Sequence, residues 1–145
     1  MKHVNARAAV QQYKTLNTST QVATASPHRL IQMLLDGALE KIKLAHHFMQ
    51  QGRLGDKAQH ITWAISIIDG LRVSLDKDAG GELAQNLEDL YDYMARRLIE
   101  TNVHNDPAIL HEVSGLLGQI KEAWDAIGDQ VHAQQLPRDD SALGR

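Results

Sequence analysis

Apolar residues along this chain recur at steps of three and four, and nowhere alternate with polar ones for long enough to make a strand. From Ile31 the positions Leu35, Ala38, Ile42, Ala45 and Met49 follow one helical face, and Leu30, Leu34, Leu44 and Phe48 widen it. Ser26-Pro27 signals the start of this helix. A serine oxygen can accept an orphan backbone N–H there, and the fixed φ of proline suits the first helical position. Gly52 and Gly55 end it.

A second helix is predicted from Asp56, as N-cap, to Leu75, with Ile61, Ala64, Ile68, Leu71 and Leu75 on its inner side. Residues 76–81 read as a turn because paired Gly80-Gly81 permits positive φ. A third helix places Leu83, Leu87, Leu90, Met94 and Leu98 on one side and stops near Thr101-Asn102; Asn105-Asp106-Pro107 restarts the chain. In the fourth, Leu110, Val113, Leu117, Ile120, Trp124, Ile127 and Val131 form the most regular seam, which predicts a central place in the packing. Four such helices with short connections predict an all-α, antiparallel up-down four-helix bundle over 26–131, about 30 to 37 Å long. Residues 1–25 are expected to form a mobile N-terminal segment, and 132–145 a disordered polar tail.

Composition narrows the function. The 145 residues suit one domain, and 43% hydrophobic with 23% charged residues describes a chain that folds. A net charge of -3 gives no basic footprint for nucleic acid. With no cysteine, disulfides, thiolate metal sites and thiol nucleophiles are excluded. Met1-Lys2-His3-Val4-Asn5 carries no apolar run, and no stretch approaches the roughly 18 apolar residues of a membrane span, so a cytoplasmic, unanchored protein is expected.

The eight histidines invite a metal or phosphorelay reading. A bundle metal site needs Glu-x-x-His pairs facing inward from two helices, and no such pair occurs. Glu100 with His104 and Asp56 with His60 stand at a spacing of four near helix ends, where solvated surface is the simpler reading. His46, His47, His60 and His111 lack the His-x-x-Lys-Gly context of a phosphotransfer domain. Gly80-Gly81 follows a helix instead of a strand and makes no phosphate cradle. Glu88, Asp89 and Asp92 are spread as on a solvated face. No catalytic residue, cofactor or metal is expected.

There is, however, more apolar surface than a bundle stripe needs. Trp63, Ala64, Ile65, Ile67 and Ile68 surround much of helix two. Tyr91 and Tyr93 lie about 200° apart on helix three, so one of them is predicted to face a groove. Either a wide interior absorbs these residues, with Trp63 over a loop, or a partner helix lies in a channel between helices two and three. Each buried anchor of such a partner would contribute about 1.5 to 3 kcal/mol before ordering costs. The same surface leaves a homodimer open.

Two blocks of residues resemble a known family. Tyr13, Val22, Thr24-Ala25-Ser26-Pro27, Leu30-Ile31, Met33-Leu34 and Asp36-Gly37-Ala38 are similar to the opening signature of the flagellar secretion chaperones, the FliS family. Ile68, Leu71, Ser74-Leu75-Asp76, Gly80-Gly81-Glu82, Leu83-Ala84, Asn86-Leu87, Leu90-Tyr91-Asp92-Tyr93-Met94 and Leu98 are similar to its central motif, which Val113, Leu116-Leu117 and Trp124 continue. Leu35, where an aromatic is usual, and Thr101, where alanine is commoner, depart from it.

The resemblance implies a cytoplasmic, noncatalytic bundle. Such a bundle binds the disordered C-terminal segment of flagellin, prevents premature polymerisation, and delivers flagellin to the export gate of the type III flagellar apparatus. A segment that folds on binding can cover a long surface and still be released. By carry-over, Ile61, Ile65, Ile68, Leu71, Asn86, Leu87, Leu90, Tyr91, Tyr93 and Met94 form or border the partner groove. Tyr13, Leu16 and Val22 cover it when flagellin is absent. A phosphorelay or metal-binding bundle is the alternative.

Overall fold

Serine and proline start the first helix as the sequence predicts. The Ser26 hydroxyl accepts the Arg29 N–H at 3.1 Å, with Pro27 opening the first turn. The computed structural model describes residues 24–134 and the side chains of 24–128. It contains α1 (Pro27–Gln50), α2 (Leu54–Val73), α3 (Lys77–His104) and α4 (Pro107–Gln134), and among the described residues there is no strand. Each helix packs against its successor and α4 closes back on α1, giving an all-α four-helix bundle.

Several helix ends differ from expectation, each for a local reason. α2 begins at Leu54 instead of Asp56. Arg53 holds the N-cap position without a side-chain bond, and Asp56 sits in the first turn, paired with Arg53 at 2.5 Å, where a carboxylate favours the positive helix end. α2 stops at Val73, two residues short of Leu75, where the Ser74 hydroxyl donates to the Leu71 carbonyl at 2.8 Å. The expected turn at 76–81 is mostly helical. Asp76 caps it by accepting the Ala79 N–H at 3.1 Å, and the break falls at Gly81 alone, φ 54° and ψ -127°. α3 runs past Thr101-Asn102 to His104, ending on Asn105 in the left-handed region with φ 55°. Asp106 then caps α4 by accepting the Ala108 N–H at 3.0 Å.

The core runs along α1, whose Leu30, Met33, Leu34, Leu35, Ala38, Ile42 and Ala45 are all buried. Small residues on α1 and α2, Ala38, Ala45 and Ala64, let these two backbones make the most extensive contact in the bundle. The central helix is therefore α1, not α4. Only the first half of α4 is seated, through Ile109, Leu110, Val113 and Leu117; Ile120 and Trp124 are half-buried, and Ile127 is 45% exposed despite its seam position. Val131 lies beyond the described side chains. On α3, Met94 and Leu98 are buried, but Leu83, predicted on the same stripe, is 65% exposed. Trp63 lies over α1 and not over a loop, with the Lys41 ammonium 3.7 Å from its ring centroid.

The end of the bundle holding the α3–α4 turn is closed by polar bonds. Buried Lys57 donates to both the carbonyl (2.8 Å) and the side-chain oxygen (3.0 Å) of Asn102, tying the start of α2 to the end of α3. Burial pulls its pKa below the ordinary lysine value, since desolvation disfavours the charged form. Buried Thr101 donates to the Asp106 carbonyl at 2.6 Å across the turn. Thr101→Val keeps the shape and removes this bond, while the Asp106 carbonyl still accepts the Ile109 N–H at 3.3 Å, so urea unfolding should show a loss of about 0.5 to 1.5 kcal/mol. An unchanged midpoint would mean that water replaces the bond.

Candidate binding cleft

α3 and α4 are fastened to each other by a polar clasp. The Tyr93 hydroxyl donates to Glu112 Oε2 at 2.5 Å, Arg97 Nε donates to Glu112 Oε1 at 3.0 Å, and Arg97 also reaches Glu100 at 2.7 Å. The bond from Tyr93, and then that from Arg97, holds the Glu112 carboxyl below the usual carboxylate range. The same bond raises the Tyr93 hydroxyl above the ordinary tyrosine value.

Beyond this clasp, towards the start of α3, α4 attaches itself to α1 instead. The Trp124 indole N–H donates to the His28 carbonyl at 3.0 Å, and the two rings stack with centroids 4.6 Å apart and planes 10° apart. Gln32 donates to Asp125 at 2.7 Å, while Lys121 bridges Asp125 at 2.6 Å and Asp36 at 3.4 Å. Lys121 and Gln32 lower the Asp125 pKa, and Asp125 in turn raises that of Lys121. Gly128 lets this end of α4 approach closely, because a β-carbon there would stand 2.0 Å from His28 Nε2.

With α4 drawn to α1 and α3 continuing along α2, an apolar cleft of about 370 Å³ opens between them. Ile31 and Leu35 of α1 line its floor. Leu71, Ser74 and Leu75 of α2 and its exit close one side; Leu83, Ala84, Leu87 and Tyr91 of α3, with Ile120 and Trp124 of α4, form the walls. The turn Asp76–Gly80 roofs one end through Asp76, Ala79 and Gly80. Tyr91 is 4% exposed, and burial pushes its hydroxyl up to about 12. That hydroxyl has no hydrogen-bond partner among the described residues, and it adds a polar group to the cleft wall. Such a surface can take apolar side chains.

Of the residues carried over to the groove, Leu71, Leu87 and Tyr91 line this cleft. Ile61, Ile68 and Met94 are buried core; Ile65, Leu90 and Tyr93 are half-buried away from the lining, and Asn86 is exposed. Tyr13, Leu16 and Val22 fall outside the described residues. Residues of all four helices and of the link between α2 and α3 line this cleft. Sequence reasoning missed Glu112 and the contribution of Ile31, Leu35, Ile120 and Trp124. A second, smaller cleft of about 280 Å³ lies between α1 and α4, lined by Lys43, His46, His111 and Ser114 with Leu39, Ile42 and Leu110. Among the described residues no group of three or more His, Cys, Asp or Glu side chains is placed to hold a metal ion. Nor is any described helix long and apolar enough to cross a membrane.

A four-helix bundle that leaves an apolar cleft open offers a surface on which apolar groups of a partner can bind. The FliS model of flagellar proteins matches residues 9–131. The chain is 47% identical over 122 residues to a flagellar secretion chaperone, FliSB, of Pseudomonas aeruginosa, covering 84% of this chain and 97% of that one. It is 43% identical over 129 residues to the flagellar secretion chaperone FliS of Salmonella typhimurium (88% and 96%), and 34% identical over 116 residues to that of Bacillus subtilis (80% and 86%). The chain belongs to the FliS family. The phosphorelay and metal-binding alternatives gain no support from these relatives.

The clasp makes a pH-dependent prediction. Tyr93 has a raised folded pKa, so its bond is intact below the ordinary value of 10.0 and is lost as pH rises through the raised one. Glu112 has a lowered folded pKa, so its contribution is present above the ordinary value of 4.5 and is lost as pH falls through the lowered one. The stability of wild type over Tyr93→Phe should therefore be flat between those values and shrink at both extremes. A difference that stays constant from about pH 3 to 11 would show that the bond contributes nothing. Gly128→Ala should push α4 from His28 and cost about 1 to 3 kcal/mol, with a red-shifted Trp124 emission; unchanged stability and emission would place His28 elsewhere.

Proposed function

We propose that this chain is a cytoplasmic flagellar export chaperone, whose cleft between α3 and α4 takes apolar side chains from the C-terminal segment of flagellin. The observation that carries the reading is the 370 Å³ apolar cleft, kept open in a FliS-family bundle by the pull of α4 towards α1. The relatives are named as flagellar secretion chaperones, which supports an export role over an enzymatic one. Binding the segment keeps flagellin from polymerising early, and the complex is delivered to the export gate of the type III apparatus.

Leu71, Leu87 and Tyr91 are the proposed contacts within the cleft. The other carried-over positions act differently. Ile61, Ile68 and Met94 shape the bundle from its core, while Ile65, Asn86, Leu90 and Tyr93 present side chains along the partner's path outside the cleft. The segment 1–25 is proposed to cover the groove in the absence of flagellin through Tyr13, Leu16 and Val22. An unfolded segment that orders on the surface spends part of its interaction energy on ordering, which keeps the complex releasable.

Co-purification with flagellin, with and without its C-terminal segment, tests the partner; equal recovery of the two would overturn the proposal. Leu87 is half-buried on the cleft wall, so Leu87→Asp places a charge against any apolar anchor without emptying the core. It should weaken flagellin binding at least about ten-fold while the circular dichroism spectrum stays helical. Undiminished affinity would move the site away from the cleft. Removing residues 1–23 should raise affinity in calorimetry, and unchanged or weaker binding would refute self-covering.

A further inference from the structure

The roof of the cleft is built unlike the rest of the bundle. Lys77–Gly80 is a single helical turn closed on itself, with Asp76 accepting the Ala79 N–H at 3.1 Å through its side chain and the Gly80 N–H at 2.8 Å through its carbonyl. On one side it is joined to α2 only by Ser74, Leu75 and Asp76. On the other it meets the body of α3 at Gly81, whose φ of 54° and ψ of -127° interrupt the helical ladder in a conformation other residues resist. A stiff unit thus stands between two non-helical joints, the arrangement of a hinged flap.

The turn approaches the body of α3 closely: a β-carbon on Gly80 would come within 2.8 Å of the β-carbon of Ala84, a cleft-lining residue that is 4% exposed. One side chain fastens the turn from outside: the Lys77 ammonium pairs with Glu88 at 2.7 Å, across the Gly81 break, and Arg72 approaches the same carboxylate at 3.9 Å. Lys77 is half exposed, so this fastening is weak and reversible in water.

We propose that Lys77–Gly80 is a lid on the apolar cleft, pivoting at Gly81 and at the Ser74–Asp76 link, and latched by the Lys77–Glu88 ion pair. Opening uncovers Ala84 and lengthens the apolar trough towards Leu83, which already stands exposed at its rim. The purpose of the lid, to shield the cleft until an apolar peptide displaces it, rests on the function proposed above; its motion does not.

The absence of cysteine permits a direct test in the full chain without any partner. A thiol placed by Ala84→Cys lies under the lid, and one placed by Ala45→Cys lies in the fully buried core and reacts only on global unfolding. With a thiol-reactive dye in native buffer, Ala84→Cys should react at least about ten-fold faster than Ala45→Cys, because local opening precedes global opening. Adding Glu88→Gln or Lys77→Met should speed labelling at position 84 by roughly two- to five-fold and leave that at position 45 unchanged. Equal rates at the two positions, or a rate at 84 indifferent to both latch substitutions, would overturn the lid. Either result would leave flagellin binding to be judged by co-purification alone.

Discussion

Everything distinctive about this bundle depends on how α4 divides its attachments. In its first half it packs apolar residues into the core and offers Glu112 to Tyr93 and Arg97 of α3. In its second half it gives its polar bonds to α1, through Trp124, Lys121 and Asp125. A helix that kept one neighbour throughout would seal the interior along its whole length. Because this one changes neighbours, α3 loses its cover, and the apolar residues between Leu83 and Tyr91 border a cleft instead of a seam. The hydrophobic effect drives closure, yet fixed hydrogen bonds to α1 prevent the wall from collapsing inwards.

The fold was largely legible because helix period, caps and prolines point the same way. Ser26-Pro27 and Asp106-Pro107 mark two helix starts through chemistry local to a few residues. Errors arose where a distant partner decided the outcome. Leu83 and Ile127 hold seam positions by spacing, but whether a seam residue is buried depends on what stands opposite, and at this end α3 and α4 no longer face each other closely. Trp63 looked surplus on helix two because its counterpart is the ammonium of Lys41, a residue that periodicity counts as polar.

The candidate site was legible only in part. Family resemblance reached Leu71, Leu87 and Tyr91, yet could not separate them from Ile61, Ile68 and Met94, which share their apolar character and differ only in what covers them. The Gly80-Gly81 pair reads as a connection by composition; that only Gly81 departs from helical geometry, leaving the preceding turn intact at the end of the cleft, follows from the capping bonds of Asp76. Glu112 went unnoticed since a lone glutamate on a solvated helix carries no pattern until Tyr93 and Arg97 are brought to it.

The closed end, where Lys57 and Thr101 tie the helices together, gives the bundle the mechanics of a pair of tongs. From Glu112 to Trp124 the arm of α4 measures about 18 Å, so a tilt of about 3° about the clasp displaces its tip by about 1 Å. Small angular play near the fulcrum is thus converted into a change of width at the jaws, on the scale that separates one aliphatic side chain from another. Grip can be tuned by residues that never meet whatever is being held.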